Sequence, residues 1–134
     1  MGVRIIGIDC ATEPKKIGLA SGKWSGNRLH ISDVTIGGDG IAAPISKIKA
    51  WLGGHDDRVL IAIDAPLGWP KGMRTALKDH AAGEPLVVTD EHAMFRRTTD
   101  RQIKIRLKKT PLDVGADRIA RTAFTALSML TELR

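Results

Sequence analysis

Two short stretches of the sequence end alike. Ile6-Gly7-Ile8-Asp9-Cys10-Ala11 and Ile61-Ala62-Ile63-Asp64-Ala65-Pro66 are apolar runs that finish in Ile-Asp followed by small residues. A carboxylate at the end of an apolar strand is costly unless something satisfies it. In open α/β sheets, ligands sit outside the carboxyl ends of the strands, so neighbouring ends of this kind aim both carboxylates at one spot. Two close like charges repel unless they share a proton or a cation. A few carboxylates, water and phosphate oxygens are what Mg²⁺ prefers, and Mn²⁺ accepts the same ligands. Metals held this way can activate water and stabilise the leaving oxygen in phosphodiester cleavage. Asp9 and Asp64 are therefore the candidate catalytic and metal-binding pair, with carboxylates expected on the order of 4 to 7 Å apart. Taken singly, each aspartate has the plainer role of capping the turn after it.

Other residues offer chemistry with a competing structural role. Arg97 can hold a scissile phosphate while Asp100 orients it through a charge-assisted bond. The alternative is an ion pair at a helix start, where acidic residues are favoured anyway. Asp117 can lend a third carboxylate to a metal or simply complement a helix dipole. Cys10 adjoins Asp9 without a nearby histidine partner and reads as a small core residue. Trp69, between two prolines, either lines a pocket or packs on the sheet, and packing is the preferred reading. His30, His55, His80 and His92 lack metal-ligand spacing, which with a lone cysteine argues against zinc.

Charge points to a partner. The net charge is +6, and residues 95–110 hold seven basic residues against one acidic, so the remainder is neutral. Arg96, Arg101, Lys104, Arg106, Lys108 and Lys109 are the candidate nucleic-acid contacts, set against the alternative of a solvated helix face. The 134 residues suffice for one domain with one core. No apolar run is long enough to cross a membrane. The opening Met1-Gly2-Val3-Arg4-Ile5-Ile6 fits neither a signal peptide nor a myristoylation site. A single cysteine suits the cytoplasm.

The elements that must position the aspartates follow from periodicity. Val3–Asp9 and Val59–Asp64 read as buried strands. Lys16–Ser21 and Arg28–Ile36 read as two more, joined through the turn formers of 21–27 as a hairpin. Ile41, Ile45, Ile48 and Leu52 share one helix face, with Gly53-Gly54 as the stop. Met73–Ala82 is a weaker helix, and 84–94 has no clear period. Thr99 with Gln102 forms a capping box for a helix over 100–109. Ala116–Leu133 is the strongest helix pattern, with Ile119, Ala123, Leu127 and Leu130 on one face and Phe124 widening it. A helix between like-directed strands makes them parallel, and the hairpins make the first three strands antiparallel. The expected fold is thus α/β, a three-strand antiparallel meander, a crossover helix and a parallel fourth strand, covered by helices.

The run Leu60-Ile61-Ala62-Ile63-Asp64-Ala65-Pro66-Leu67-Gly68-Trp69-Pro70 resembles the signature of a family of predicted RNase-H-like nucleases, domain of unknown function four-two-nine. Ile6-Gly7-Ile8-Asp9 and Arg97-Thr98-Thr99-Asp100-Arg101, followed by the helix carrying Asp117, resemble it too. The resemblance implies an RNase-H-like fold over essentially the whole chain. It also implies metal-dependent hydrolysis of phosphodiesters, with Mg²⁺ or Mn²⁺ as cofactor and nucleic acid as partner. Family members continue with another strand, a Glu-x-x-Pro-type motif and a late helix bearing further aspartates, which this sequence lacks. The expectation is therefore a truncated or shortened fold with an incomplete metal site, weak or no hydrolysis alone, and an uncovered apolar face closed by homodimerisation. Two other readings compete. An actin-like ATPase wants a glycine-bearing hairpin after the first Asp, and Cys10-Ala11-Thr12-Glu13 has none. A non-catalytic relic would keep only the binding of nucleic acid or protein through residues 96–109.

Overall fold

The computed structural model describes residues 2–53, 58–85, 90–115 and 119–133. The chain divides into two compact units. One runs to Ala65 and is completed by the chain from Arg121 onward; the other is Pro66–Ala120.

The first unit is built on a four-stranded sheet: β1 (Val3–Asp9), β2 (Gly18–Ser25), β3 (Arg28–Ile36) and β4 (Arg58–Asp64). The strand order is β3-β2-β1-β4. β1 pairs antiparallel with β2 and parallel with β4, and β2 pairs antiparallel with β3. The α/β mixed sheet expected from periodicity is present.

The hairpin is tighter than the turn formers of 21–27 imply. β2 continues to Ser25, and the reversal is confined to Gly26 and Asn27, with φ of 55° and 65°. Two left-handed residues match the twist of paired strands, and Gly and Asn tolerate that region. Gly22 is a strand glycine needed for close approach, since a Cβ there would lie 2.7 Å from the His30 carbonyl oxygen. It sits at a register shift between Ser21 and Gly22, where the Ser32 hydroxyl donates to the Ser21 carbonyl at 3.1 Å. The expected strand start at Lys16 moves to Gly18, because Pro14–Lys16 forms a single 3₁₀ turn.

One sheet face carries the core. Ile6 and Ile8 of β1 and Leu19 of β2 point to it. Helix α1 (Ala42–Leu52) supplies Ile45 and Ile48, and helix α5 (Ile119–Glu132) supplies Ala126 and Met129. Gly53 ends α1 by donating its amide to the Lys49 carbonyl at 3.0 Å. Lys47 and Trp51 of α1 both donate to Asp33 of β3, at 2.8 and 3.2 Å. Phe124 does not join the core. The face of α5 that meets the sheet runs through Ala123, Ala126 and Met129, whose small or flexible side chains allow a close approach, and Phe124 is 68% exposed.

The opposite sheet face is apolar and open within this unit. Val34 and Ile36 are each 70% exposed, and Leu60 on the edge strand β4 is exposed as well.

The second unit holds α2 (Lys71–Leu77), α3 (Glu91–Phe95) and α4 (Thr98–Leu107). α2 begins right after Pro70 and stops short of the expected 82. α3 falls in a stretch without clear period; Asp90 starts it by accepting the His92 amide at 2.9 Å. Gly72 lets α2 and α3 touch backbone to backbone, since a Cβ there would lie 2.5 Å from the Ala93 carbonyl oxygen. α4 starts two residues before the expected 100 and is capped by Asp100, the third residue of the helix, rather than by the Thr99–Gln102 box.

Candidate active site

Asp9 and Asp64 are the last residues of β1 and β4, and they are register partners across the parallel pair. Parallel strands run about 4.8 Å apart and in-register side chains point to the same face, so both carboxylates share one spot. The register, in which Ile8 also pairs with Ile63, follows from placing both Ile-Asp endings at the same height. The row continues into β2, where Gly18 pairs with Asp9. A Cβ on Gly18 would lie 3.3 Å from Asp9 Cβ and 3.8 Å from its Oδ2. The missing side chain therefore leaves a free flank beside the carboxylate. Both aspartates are exposed, at the end of the open face whose floor is Gly7, Ala20 and Ala62.

The residues after each aspartate anchor the strand ends. Cys10 is buried in the core, and Ala11 and Ala65 pack against it. The Cys10 thiol lies 3.9 Å from the Thr122 carbonyl oxygen on α5, and the Thr12 and Thr122 hydroxyls are 3.5 Å apart. Burial pushes the Cys10 thiol above its ordinary pKa, and the charges of Asp9 and Asp64 reinforce the shift against an opposing Ala11 amide bond. The thiol is thus kept protonated, as suits a packing residue rather than a nucleophile.

Arg96, Arg97, Asp100 and Arg101 come together in the second unit. Arg97 forks onto Asp100 through Nε at 2.8 Å and a terminal nitrogen at 2.7 Å, and its amide donates to the same carboxylate at 2.8 Å. Asp100 is 3% exposed. Burial alone would raise its pKa, but the Arg97 bonds and the charges of Arg97 and Arg96 outweigh that and hold it below the usual carboxylate range. Arg96 Nε donates to Asp113 at 2.9 Å. Lys104 and Arg106 of α4 face solvent with Arg101, as do Lys108 and Lys109 beyond the helix. Asp117 and His55 lie outside the described residues.

Among the described residues no three His, Cys, Asp or Glu side chains converge as a metal cluster. Two hard carboxylates on one face with an unobstructed flank do fit an oxygen-liganded divalent cation whose remaining positions are taken by water and substrate. Gly18 and Thr122 are not evident from the sequence as site residues. Gly18 carries a faint signal, as a glycine opening a strand; Thr122 carries none, because its role depends on where α5 docks.

A sheet in the order β3-β2-β1-β4, with one parallel pair and aspartates at its two adjacent ends, defines an RNase-H-like α/β arrangement. The chain belongs to the family described as Protein of unknown function (DUF429), which matches residues 7–133. No curated protein and no solved structure matches the chain. Among the described residues no helix is long and apolar enough to cross a membrane.

Proposed function

We propose that this chain is a divalent-metal-dependent phosphodiesterase of the RNase-H-like type, acting on nucleic acid in the cytoplasm. The observation that carries the proposal is the in-register pairing of Asp9 with Asp64 at the ends of two parallel strands. Asp9 and Asp64 would hold Mg²⁺ or Mn²⁺ between them. Such an ion, when bound, makes water a stronger nucleophile and offsets charge on the phosphate. The chain's own contribution is placement. The anchoring of Cys10, Ala11 and Ala65 in the core holds the strand ends from which both carboxylates project, which limits the reorganisation needed at the moment of reaction. Gly18 leaves room beside Asp9 for a phosphate. Carboxylate oxygens of the pair orient and accept the proton of the attacking water. The exposed basic side chains of α4 attract the polyanion without reading its sequence.

Two carboxylates hold an ion less firmly than three, so slow hydrolysis is expected. The open face supports a second element of the proposal, a homodimer that covers its far end around Ile31 and Leu60 and leaves the flank at Gly18 free. The absence of a third converging acid among the described residues favours one alternative, a binding module without catalysis.

The test is cleavage of fluorescent single- and double-stranded DNA and RNA with Mg²⁺ or Mn²⁺. Slow, metal-dependent cleavage abolished by both Asp9→Asn and Asp64→Asn supports the enzyme. Binding without cleavage under all conditions supports the module. Cleavage unaffected by both substitutions overturns the assignment.

A further inference from the structure

We infer that the second unit carries a ligand site of its own, a cavity that takes a nucleoside monophosphate. The cavity encloses about 630 Å³ between α2, α3 and the start of α4. That is within the range of small-molecule sites and far larger than a bare phosphate needs. Its two walls differ in chemistry.

The first wall is cationic. Lys71, Arg96, Arg97 and Arg101 line it against one carboxylate, Asp90. Asp100 and Asp113 sit behind Arg97 and Arg96 as hydrogen-bond partners. Four cations against those three acids leave one positive charge. The two partnered arginines are not spent by these bonds. Arg96 uses only Nε, and Arg97 uses Nε and one terminal nitrogen, so each keeps terminal N–H donors while its stem is held in place. Among the described residues Lys71 and Arg101 have no ion-pair partner. Asp90 is already turned to the His92 amide. The cavity also receives Thr98, the first residue of the ten-residue helix α4, whose opening amides have no intrahelical acceptor. Fixed guanidinium forks beside a helix start are the donors that phosphate oxygens match best.

The second wall is apolar and aromatic. Trp69 is 42% exposed and faces the cavity with Pro70 and Met94. Trp69 thus stays open to solvent in a lining that it shares with Lys71, Arg96, Arg97 and Arg101. An aromatic face accepts any nucleobase by stacking, independent of sequence. Phosphate on the cationic wall and base on Trp69 together define the ligand class. This site stands on the second unit alone and does not depend on catalysis at Asp9 and Asp64.

The test uses the full chain in EDTA, with calorimetric titration of adenosine monophosphate, inorganic phosphate and adenosine. The monophosphate is expected to bind at least about tenfold more tightly than either fragment, since both walls then contribute. Arg101→Ala should weaken the monophosphate and phosphate about tenfold or more and leave adenosine unchanged. Trp69→Ala should weaken the monophosphate and adenosine and leave phosphate unchanged, while Trp69→Phe retains most binding. The double variant Asp9→Asn, Asp64→Asn should bind like the parent. Arg101 is an exposed surface side chain, so its removal leaves the fold intact, which thermal unfolding checks. No saturable binding of the monophosphate overturns the site. So does binding indifferent to both Arg101→Ala and Trp69→Ala, or binding abolished in the Asp9, Asp64 double variant.

Discussion

Asp100→Ala is the most informative perturbation of the second unit. The wild-type carboxylate is 3% exposed and accepts three bonds of 2.7 to 2.8 Å, all from Arg97. Removing one partner of a buried ion pair costs about 3–5 kcal/mol, mainly because the other charge is stranded. Arg97 keeps 21% of its side chain in solvent, so water recovers part of that loss. Removal of the helix cap adds back roughly 1 kcal/mol, and the expected cost is about 2–4 kcal/mol. Urea unfolding followed by circular dichroism reads this directly, provided the slope with denaturant is unchanged. Arg97→Met in the Asp100→Ala background should recover part of the loss, as expected for coupled partners. The pH dependence has a definite sign. The folded carboxyl titrates below its unfolded value of about 3.9, so its contribution is complete above that value and is lost as pH falls through the folded pKa. Wild type and Asp100→Ala should therefore converge in stability on acidification. A cost under about 0.5 kcal/mol at neutral pH, or a gap that persists in acid, would mean that the Arg97–Asp100 pair does not stabilise the fold through its charge.

Three further outcomes are expected. Gly18→Val places branched carbons where even a Cβ lies 3.3 Å from Asp9 Cβ, so it should cut metal binding and any hydrolysis by about a hundredfold while far-UV circular dichroism stays unchanged. Replacing Lys104, Arg106 and Lys108 together with glutamine should flatten the salt dependence of nucleic-acid binding, by about 0.9 in logarithmic slope for each duplex phosphate no longer neutralised; an unchanged slope means that other residues meet the polyanion. Sedimentation at micromolar concentration should show a dimer, and Ile31→Lys with Leu60→Lys, at the end of the open face away from the aspartates, should return it to monomer; a wild-type monomer contradicts closure of that surface.

Much of the fold was legible because the strongest signals were local. The matched Ile-Asp endings and the apolar runs before them mark β1 and β4 and bring the two candidate aspartates into register; β1 is an inner strand as its pattern implies, whereas β4, read as buried, lies at the sheet edge without a buried residue. The spacing of Ile45, Ile48 and Leu52 marks α1 in the same way. Misreadings arose where a residue's local preference and its tertiary role differ. Gly22 looks like a turn residue but serves a close strand approach at a bulge. Thr99 and Gln102 satisfy the capping-box pattern, yet the stronger charge-assisted bonds of Asp100 set the helix start two residues earlier. Phe124 has helical spacing with the core residues, but the small Ala126 decides which face approaches the sheet. Trp69 reads as a packing residue and instead lines a cavity, because that depends on where α3 and α4 lie. Register between distant strands is likewise a tertiary property, and the facing of Asp9 and Asp64 rests on it.

Manganese binding reports whether Asp9 and Asp64 hold one ion together. Mn²⁺ titrated into the protein and followed by electron paramagnetic resonance should show a saturable site. Asp9→Asn and Asp64→Asn should each abolish most of its affinity, and the double variant should bind little more weakly than either single one, because both carboxylates hold the same ion. No saturable site in the parent, or two effects that simply add, would mean the aspartates at the ends of β1 and β4 do not act together.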